Sequence, residues 1–159
     1  MLDSSFLICL SNDERPEHQT AKKYYAEFIQ RGIPMYLSTI VICEYEVRQR
    51  ITDFGLENFL VQPFNIDEAI QGARVFDHLF SARGQGDERV SVKDDAKILS
   101  QCILGGISHF ITSDTKCANR VTRLRSAATV SGLPMPIDVQ QPYCSAWFNP
   151  ENQAAMDFE

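Results

Sequence analysis

The apolar residues of this chain come in short runs separated by stretches of helical period, and that alternation restricts it to an α/β fold. Four runs have strand length: Met35-Tyr36-Leu37-Ser38, 60–64 with Pro63 inside it, 107–112 and 136–139. Met1-Leu2 forms a strand stub ahead of Asp3. Between these runs, apolar residues recur at helical spacing over 17–31, 39–53, 66–80, 92–104 and 116–130. Strands alternating with helices predict a three-layer α/β/α domain around a central, mainly parallel sheet. In such sheets ligands bind beyond the carboxyl ends of the strands, where this reading puts Asp3 and Asp114.

Local signals set the expected boundaries. Gly32 followed by Pro34 stops the first long helix, and Gly105-Gly106 stops the helix over 92–104. Asn65-Ile66-Asp67-Glu68 has the pattern of a capped helix start, and Ser91 is placed to cap the next helix. In the 66–80 helix, Ile66, Ala69, Ile70, Ala73, Phe76 and Phe80 are expected to face inward. Residues 82–90, with two glycines and four charges, read as a mobile loop. The chain divides into a domain over 1–140 and a polar tail over 141–159, with aromatic anchors at Tyr143, Trp147 and Phe148.

The longest apolar run, Phe6-Leu7-Ile8-Cys9-Leu10, is far short of the roughly 20 residues a membrane span needs. It follows acidic Asp3 and lacks a basic flank, unlike a secretion signal. The five cysteines are odd in number and none sits at metal-clip spacing; Cys9, Cys43 and Cys102 lie in apolar context. A reduced, cytoplasmic protein is expected. His18, His78 and His109 form no zinc pattern. A net charge of −6 argues against binding nucleic acid by bulk electrostatics. It leaves room for an enzyme that meets phosphates through metal ions held by acids.

Four acids stand out by position. Asp3 and Asp114 each end an apolar strand. Glu44 lies a turn from Ile40 and Val47, with Ile51 beyond, so its carboxylate projects along an apolar stripe. Glu46 faces the other way and is expected to pair with Arg50. Asp95 shares its stripe with Ile98, Leu99 and Cys102, whereas Asp94 shares one with Lys97 and Gln101 and is expected to be solvated. Core-side carboxylates with no basic partner in their own stripe are costly, and a divalent metal is the usual reason that several converge. Each acid also has a plainer role open to it. Asp95 could complement a helix dipole, Asp114 could cap the following helix, and Asp3 could lie on the surface; Glu44 has the weakest such alternative. Lys116, Arg120 and Arg123 fall on one helical face beside Asp114, with Arg125 close by. Arg83, Arg89 and Lys93 flank the 82–90 loop. Both sets are candidate phosphate contacts, with a solvated basic face as the equal alternative for each.

The ordered acids resemble the PIN-domain ribonuclease family across most of the chain. Leu2-Asp3-Ser4-Ser5-Phe6-Leu7-Ile8 is similar to its opening strand and Asp motif, and Ser38-Thr39-Ile40-Val41-Ile42-Cys43-Glu44 to its Ser-led helix with the Glu. Asp94-Asp95-Ala96-Lys97-Ile98-Leu99-Ser100 resembles its Asp-Ala helix start, and the segment from Gly106 to Asp114 its last acidic strand end. In size and layout the chain is most similar to the VapC-type toxins of toxin–antitoxin pairs. The resemblance implies hydrolysis of RNA phosphodiester bonds with Mg²⁺ or Mn²⁺. It implies Asp3, Glu44, Asp95 and Asp114 as metal ligands, direct or through water, and Ser4 and Ser113 as groups that orient a ligand or a phosphate. It further implies an antitoxin protein as partner and a homodimer. The chain departs from the family in having Ser5 where an Asn is usual, and Thr115, Lys116 and Cys117 where many members carry another acid or Asn.

Other classes fit less well. An aspartyl phosphatase of the haloacid-dehalogenase type needs a second acid two residues after the first, where Ser5 stands. A response-regulator receiver needs a Lys near its last strand, and 134–142 contains none. A PIN-like RNA-processing nuclease without an antitoxin, and a PIN-like binding module that does not cleave, are the remaining alternatives.

Overall fold

The computed structural model describes residues 1–81 and 89–149, the side chains of 89–91 excepted. The elements in order are α1 (Ser4–Ser11), α2 (His18–Arg31), β1 (Met35–Ser38), α3 (Thr39–Glu46), β2 (Phe59–Gln62), α4 (Ile66–Ser81), α5 (Arg89–Leu104), β3 (His109–Thr112), α6 (Thr115–Ser126) and β4 (Met135–Asp138). The fold is mixed α/β, with β1 parallel to β2 and β3 parallel to β4. Leu2 joins the two pairs by bridging to Leu37 on one side and Ile111 on the other. Its N–H donates to Tyr36 C=O at 3.0 Å, and Asp3 N–H donates to Ile111 C=O at 3.0 Å. The strand stub is therefore a single bridging residue, and Asp3 leaves it beside the carboxyl ends of β1 and β3.

The apolar run after Asp3, to which no element was assigned from sequence, is helix α1, with Phe6, Leu7 and Cys9 buried. Helix α2 stops at Gly32 as expected; Gly32 adopts φ +63°, where a side chain would be strained, and Ile33 N–H reaches back to Phe28 C=O. Helix α4 opens at the expected capped start, with Asn65 N–H donating to Glu68 Oε2 at 3.0 Å.

Three expectations about helices are corrected. The 39–53 helix ends at Glu46, and Ile51–Asp53 forms a separate 3-10 turn. Past Glu46 the chain is Val47-Arg48-Gln49-Arg50, all exposed, so no core contact sustains another turn. Glu46 Oε1 accepts the Ile51 N–H at 2.7 Å instead of pairing with Arg50. Helix α5 begins at Arg89, ahead of Ser91, so Ser91 is not its cap and Asp95 lies beyond the first turn, where a helix dipole acts. The expected loop over 82–90 lies outside the described residues at 82–88. In α4 the inward face is Gly72, Val75 and Leu79, while Ile66 and Ile70 are 76% and 53% exposed. Helix α5 dictates this choice: Ser100 Oγ donates to Glu68 C=O at 2.9 Å and lies 3.4 Å from where a Cβ on Gly72 would stand, so the two backbones meet at the glycine.

Residues 141–149 pack against α2. Phe148 sits edge-on to Phe28 at 5.2 Å, Tyr143 hydroxyl donates to Glu27 Oε2 at 2.5 Å, and Arg31 donates to Phe148 C=O at 2.8 Å. Residues 150–159 of the tail lie outside the described residues. All five cysteines are free thiols; Cys43, expected in apolar surroundings, is exposed. Among the described residues, no helix is long and apolar enough to cross a membrane.

Ser38 is fully buried and caps α3 by accepting the Ile40 N–H at 3.0 Å. Ser38→Ala is expected to cost about 1 kcal/mol, the usual value of a lost N-cap, read as a lower urea midpoint with unchanged slope.

Candidate functional site

Asp3 is the centre of the site. Following a bridging residue and preceding α1, it is buried, and its Oδ2 accepts from Ser5 Oγ at 2.5 Å and from Thr112 Oγ1 at 2.7 Å. Ser5 Oγ also receives the Ser113 N–H at 2.9 Å, and Thr112 Oγ1 receives the Asp114 N–H at 2.9 Å. This hydroxyl network ties the start of α1 to the end of β3. Burial pushes the Asp3 carboxyl above its ordinary pKa; the Ser5 and Thr112 hydroxyls oppose the shift and the Asp114 charge adds to it.

Glu44 reaches the same region from α3. The buried stripe of that helix is Val41 and Tyr45, so Glu44 is only partly buried, and Val47, placed beside it from sequence, is 78% exposed. Partial burial raises the Glu44 pKa; the nearby Ser4 hydroxyl lowers it, and the charges of Asp3 and Asp94 raise it again. Ser113 turns its hydroxyl to Ser5 C=O, at 3.4 Å, and fastens α1 rather than facing the acids.

Asp95 projects from α5, whose Ile98, Leu99 and Cys102 are buried as the stripe predicts. It is not uncompensated. Arg120 on α6 meets its Oδ2 at 2.7 Å, with the Arg120 side chain 2% exposed. Desolvation still dominates, and with repulsion from Asp3 it lifts the Asp95 pKa to about 7 against the pull of Arg120 and of the Cys117 thiol. Asp114 performs the capping role open to it: its Oδ1 accepts the N–H groups of Lys116 at 2.8 Å and Cys117 at 3.0 Å at the start of α6.

The basic residues are placed differently from expectation. Arg120 is corrected from a phosphate contact to a buried ion-pair partner, because its position in α6 faces α5 rather than solvent. Lys116 and Arg123 remain exposed on that helix, and Arg125 turns to the Leu133 C=O. Lys93 is exposed. Arg83, and the side chain of Arg89, lie outside the described residues. Asp94 is not simply solvated: it pairs with Lys97 at 2.6 Å and its charge is felt by Glu44. Gln101, expected on the same solvated face, is buried and donates to Gln62 C=O at 3.0 Å.

Sequence reading missed Ser5 and Thr112 as partners of Asp3, and Arg120 as the partner of Asp95. A hydroxyl two positions after Asp3 and another two before Asp114 were the only local signals. The Arg120 pairing spans 25 residues and has no local signal at all.

The donor set is entirely carboxylate oxygen, which suits a hard divalent cation. Among the described residues, no three His, Cys, Asp or Glu side chains converge closely enough to ligate one ion together. Magnesium takes one or two carboxylates and keeps several waters, so a site built on Asp3 and one neighbouring acid would fit it. No protein-family model and no curated protein matches the chain.

Proposed function

We propose that this chain is a metal-dependent endoribonuclease of the PIN type that hydrolyses RNA phosphodiester bonds. The observation that carries the reading is the mutual electrostatic coupling of acids from separate elements: the charges of Asp114 and Asp3 raise the pKa values of Asp3, and of Glu44 and Asp95, respectively. A fold gains nothing by burying acids within reach of one another unless a cation or a reacting group uses them. The finer architecture that goes with this reading is a three-layer α/β/α domain in which β2, β1, Leu2, β3 and β4 act as one parallel sheet.

Asp3 and Glu44, with Asp95 and Asp114 through water, would hold Mg²⁺ or Mn²⁺; a bound ion there supplies a hydroxide-like nucleophile and stabilises the in-line transition state. The residues themselves do the positioning. Ser5 and Thr112 fix the Asp3 carboxylate, and Arg120 fixes that of Asp95. Exposed Lys116, Arg123 and Lys93 are the phosphate contacts of this reading. The resemblance to VapC-type toxins extends the proposal to a cytoplasmic toxin held by an antitoxin protein.

One observation favours a second reading, a PIN-like binding module that does not cleave: Arg120 already gives Asp95 the positive partner that an ion would provide. Purified protein incubated with single-stranded RNA separates the two. Cleavage with Mg²⁺ or Mn²⁺ that stops with chelator is expected. Glu44→Gln should cut the rate by about 100-fold and Asp94→Asn by less than about 10-fold, since Asp94 acts on the site only through Glu44. Cleavage that survives full chelation would overturn the metal mechanism. A calorimetric Mn²⁺ titration showing no binding, with no cleavage, would leave the binding module.

A further inference from the structure

Helix α6, strand β4 and the returning segment 141–149 enclose a pocket of about 350 Å³ on the flank of the acidic site. Cavities that take small ligands run from about 300 to 1,000 Å³. Two of its lining residues adjoin the acids: Thr115 directly follows Asp114, and Gln141 follows Gln140, whose amide donates to Ser113 C=O at 2.6 Å. Buried Ala118 and Ile137 supply apolar lining, and half-buried Trp147 adds an aromatic ring.

The polar groups of the pocket sort into two kinds. Thr115 donates to Asp138 Oδ2 at 2.7 Å, and Thr122 donates to Ala118 C=O at 2.9 Å, so these are engaged within the fold. The side-chain amides of Asn119 and Gln141 form no hydrogen bond among the described residues, and the Trp147 ring meets no other ring among them. No Lys or Arg lines the pocket, so it is not itself a phosphate site. The cations stand outside it: exposed Lys116 and Arg123 lie three residues before and four residues after Asn119, on one face of α6. An aromatic ring beside amides that offer both a donor and an acceptor suits an unpaired nucleobase, whose face stacks and whose edge takes hydrogen bonds. Phosphates held at Lys116 and Arg123 leave a base free to enter beside Asn119.

We infer that the pocket between α6, β4 and 141–149 is a subsite for one unpaired nucleobase of a single-stranded RNA, with Trp147 stacking on the base and the Asn119 amide bonding its edge. This rests on RNA being the substrate, and it names the residues that give the site a preference among bases.

Trp147 is the only tryptophan of the chain, so its fluorescence reports on the pocket directly. The full chain is titrated in chelator, where no metal-dependent cleavage occurs, with a short fluorescently labelled oligoadenylate and with an abasic sugar-phosphate chain of the same length. Oligoadenylate is expected to quench Trp147 saturably; the abasic chain should bind more weakly and leave the emission unchanged. Followed by anisotropy of the labelled RNA, Trp147→Leu should lose roughly tenfold in affinity, as removal of a stacking ring does, while Trp147→Phe keeps most of it. Asn119→Ala, at an exposed helix position that leaves the fold intact, should lose about fivefold, the value of a hydrogen bond. Equal quenching by the abasic chain, or wild-type affinity in both Asn119→Ala and Trp147→Leu, would overturn the subsite. RNA that is cut with Mn²⁺ while Trp147 emission never responds to it would also overturn the subsite and leave the nuclease reading standing. RNA that quenches Trp147 and depends on Asn119, yet is never cut with Mg²⁺ or Mn²⁺, would uphold the subsite and overturn the nuclease.

Discussion

Arg120→Met is expected to destabilise the chain by about 3–5 kcal/mol, the usual result when one partner of a buried ion pair is removed. Arg120 is 2% exposed and bonds Asp95 Oδ2 at 2.7 Å, so its loss strands a carboxylate in the space between α5 and α6. The effect depends on pH in a stated direction. Burial, with repulsion from Asp3, raises the folded pKa of Asp95 from 3.8 to about 7, so the fold prefers the protonated form. The stability this group contributes is present in full below its ordinary pKa and is lost as pH rises through about 7. Arg120 pulls that pKa down, and without it the folded pKa rises further. The variant's deficit should therefore be larger at about pH 8 than at about pH 5, measured as urea midpoints of both proteins at each pH. Adding Asp95→Leu to Arg120→Met should recover most of the loss, because no buried charge remains. Equal midpoints for Arg120→Met and wild type would show that the pair is not buried in solution.

Asp3→Asn is expected to lower metal-dependent RNA cleavage by roughly 1,000-fold, several kcal/mol of lost transition-state stabilisation at about 1.4 kcal/mol per tenfold. The same substitution is expected to stabilise the metal-free protein. The amide oxygen can still accept from Ser5 and Thr112, so the hydrogen bonds that hold residue 3 survive. What disappears is the cost of a buried charge and its repulsion with Asp114, Asp95 and Glu44. The folded pKa of Asp3 is raised, so wild-type stability from this group falls as pH rises, and the advantage of the Asn variant should widen from acidic to alkaline pH. Thermal melting in chelator and in Mn²⁺ measures both effects. Wild type should gain from Mn²⁺ by mass action and Asp3→Asn should gain less. An Asn variant that melts well below wild type in chelator and still gains fully from Mn²⁺ would make Asp3 a structural group and remove it from the candidate site.

Much of the local structure is legible in the sequence because local forces decide it. Met35–Ser38 is a strand flanked by a Gly-Pro stop and a serine cap, and α2 and the end of α5 stop at glycines, whose freedom at positive φ is a property of one residue. The positions of Asp3 and Asp114 follow equally from strand ends, since both precede a helix immediately after a parallel strand segment. What periodicity leaves open is the direction in which a helix faces. Helix α4 carries apolar residues on more than one side, and the choice of Val75 and Leu79 over Ile66 and Ile70 goes with Gly72, against which α5 packs closely.

The candidate site divides along the same line. The sequence by itself determined which acids stand at strand ends and on the buried stripe of α5, because those placements need only the periods of a strand and a helix. Only the tertiary structure decided what each acid meets: that Arg120 turns inward to Asp95, that Asp94 stays within reach of Glu44, and that Ser5 and Thr112 share one oxygen of Asp3. These partners come from elements far apart in the chain. The energy of a buried charge depends on the groups packed around it in space, and sequence spacing beyond a helical turn carries no information about which those are.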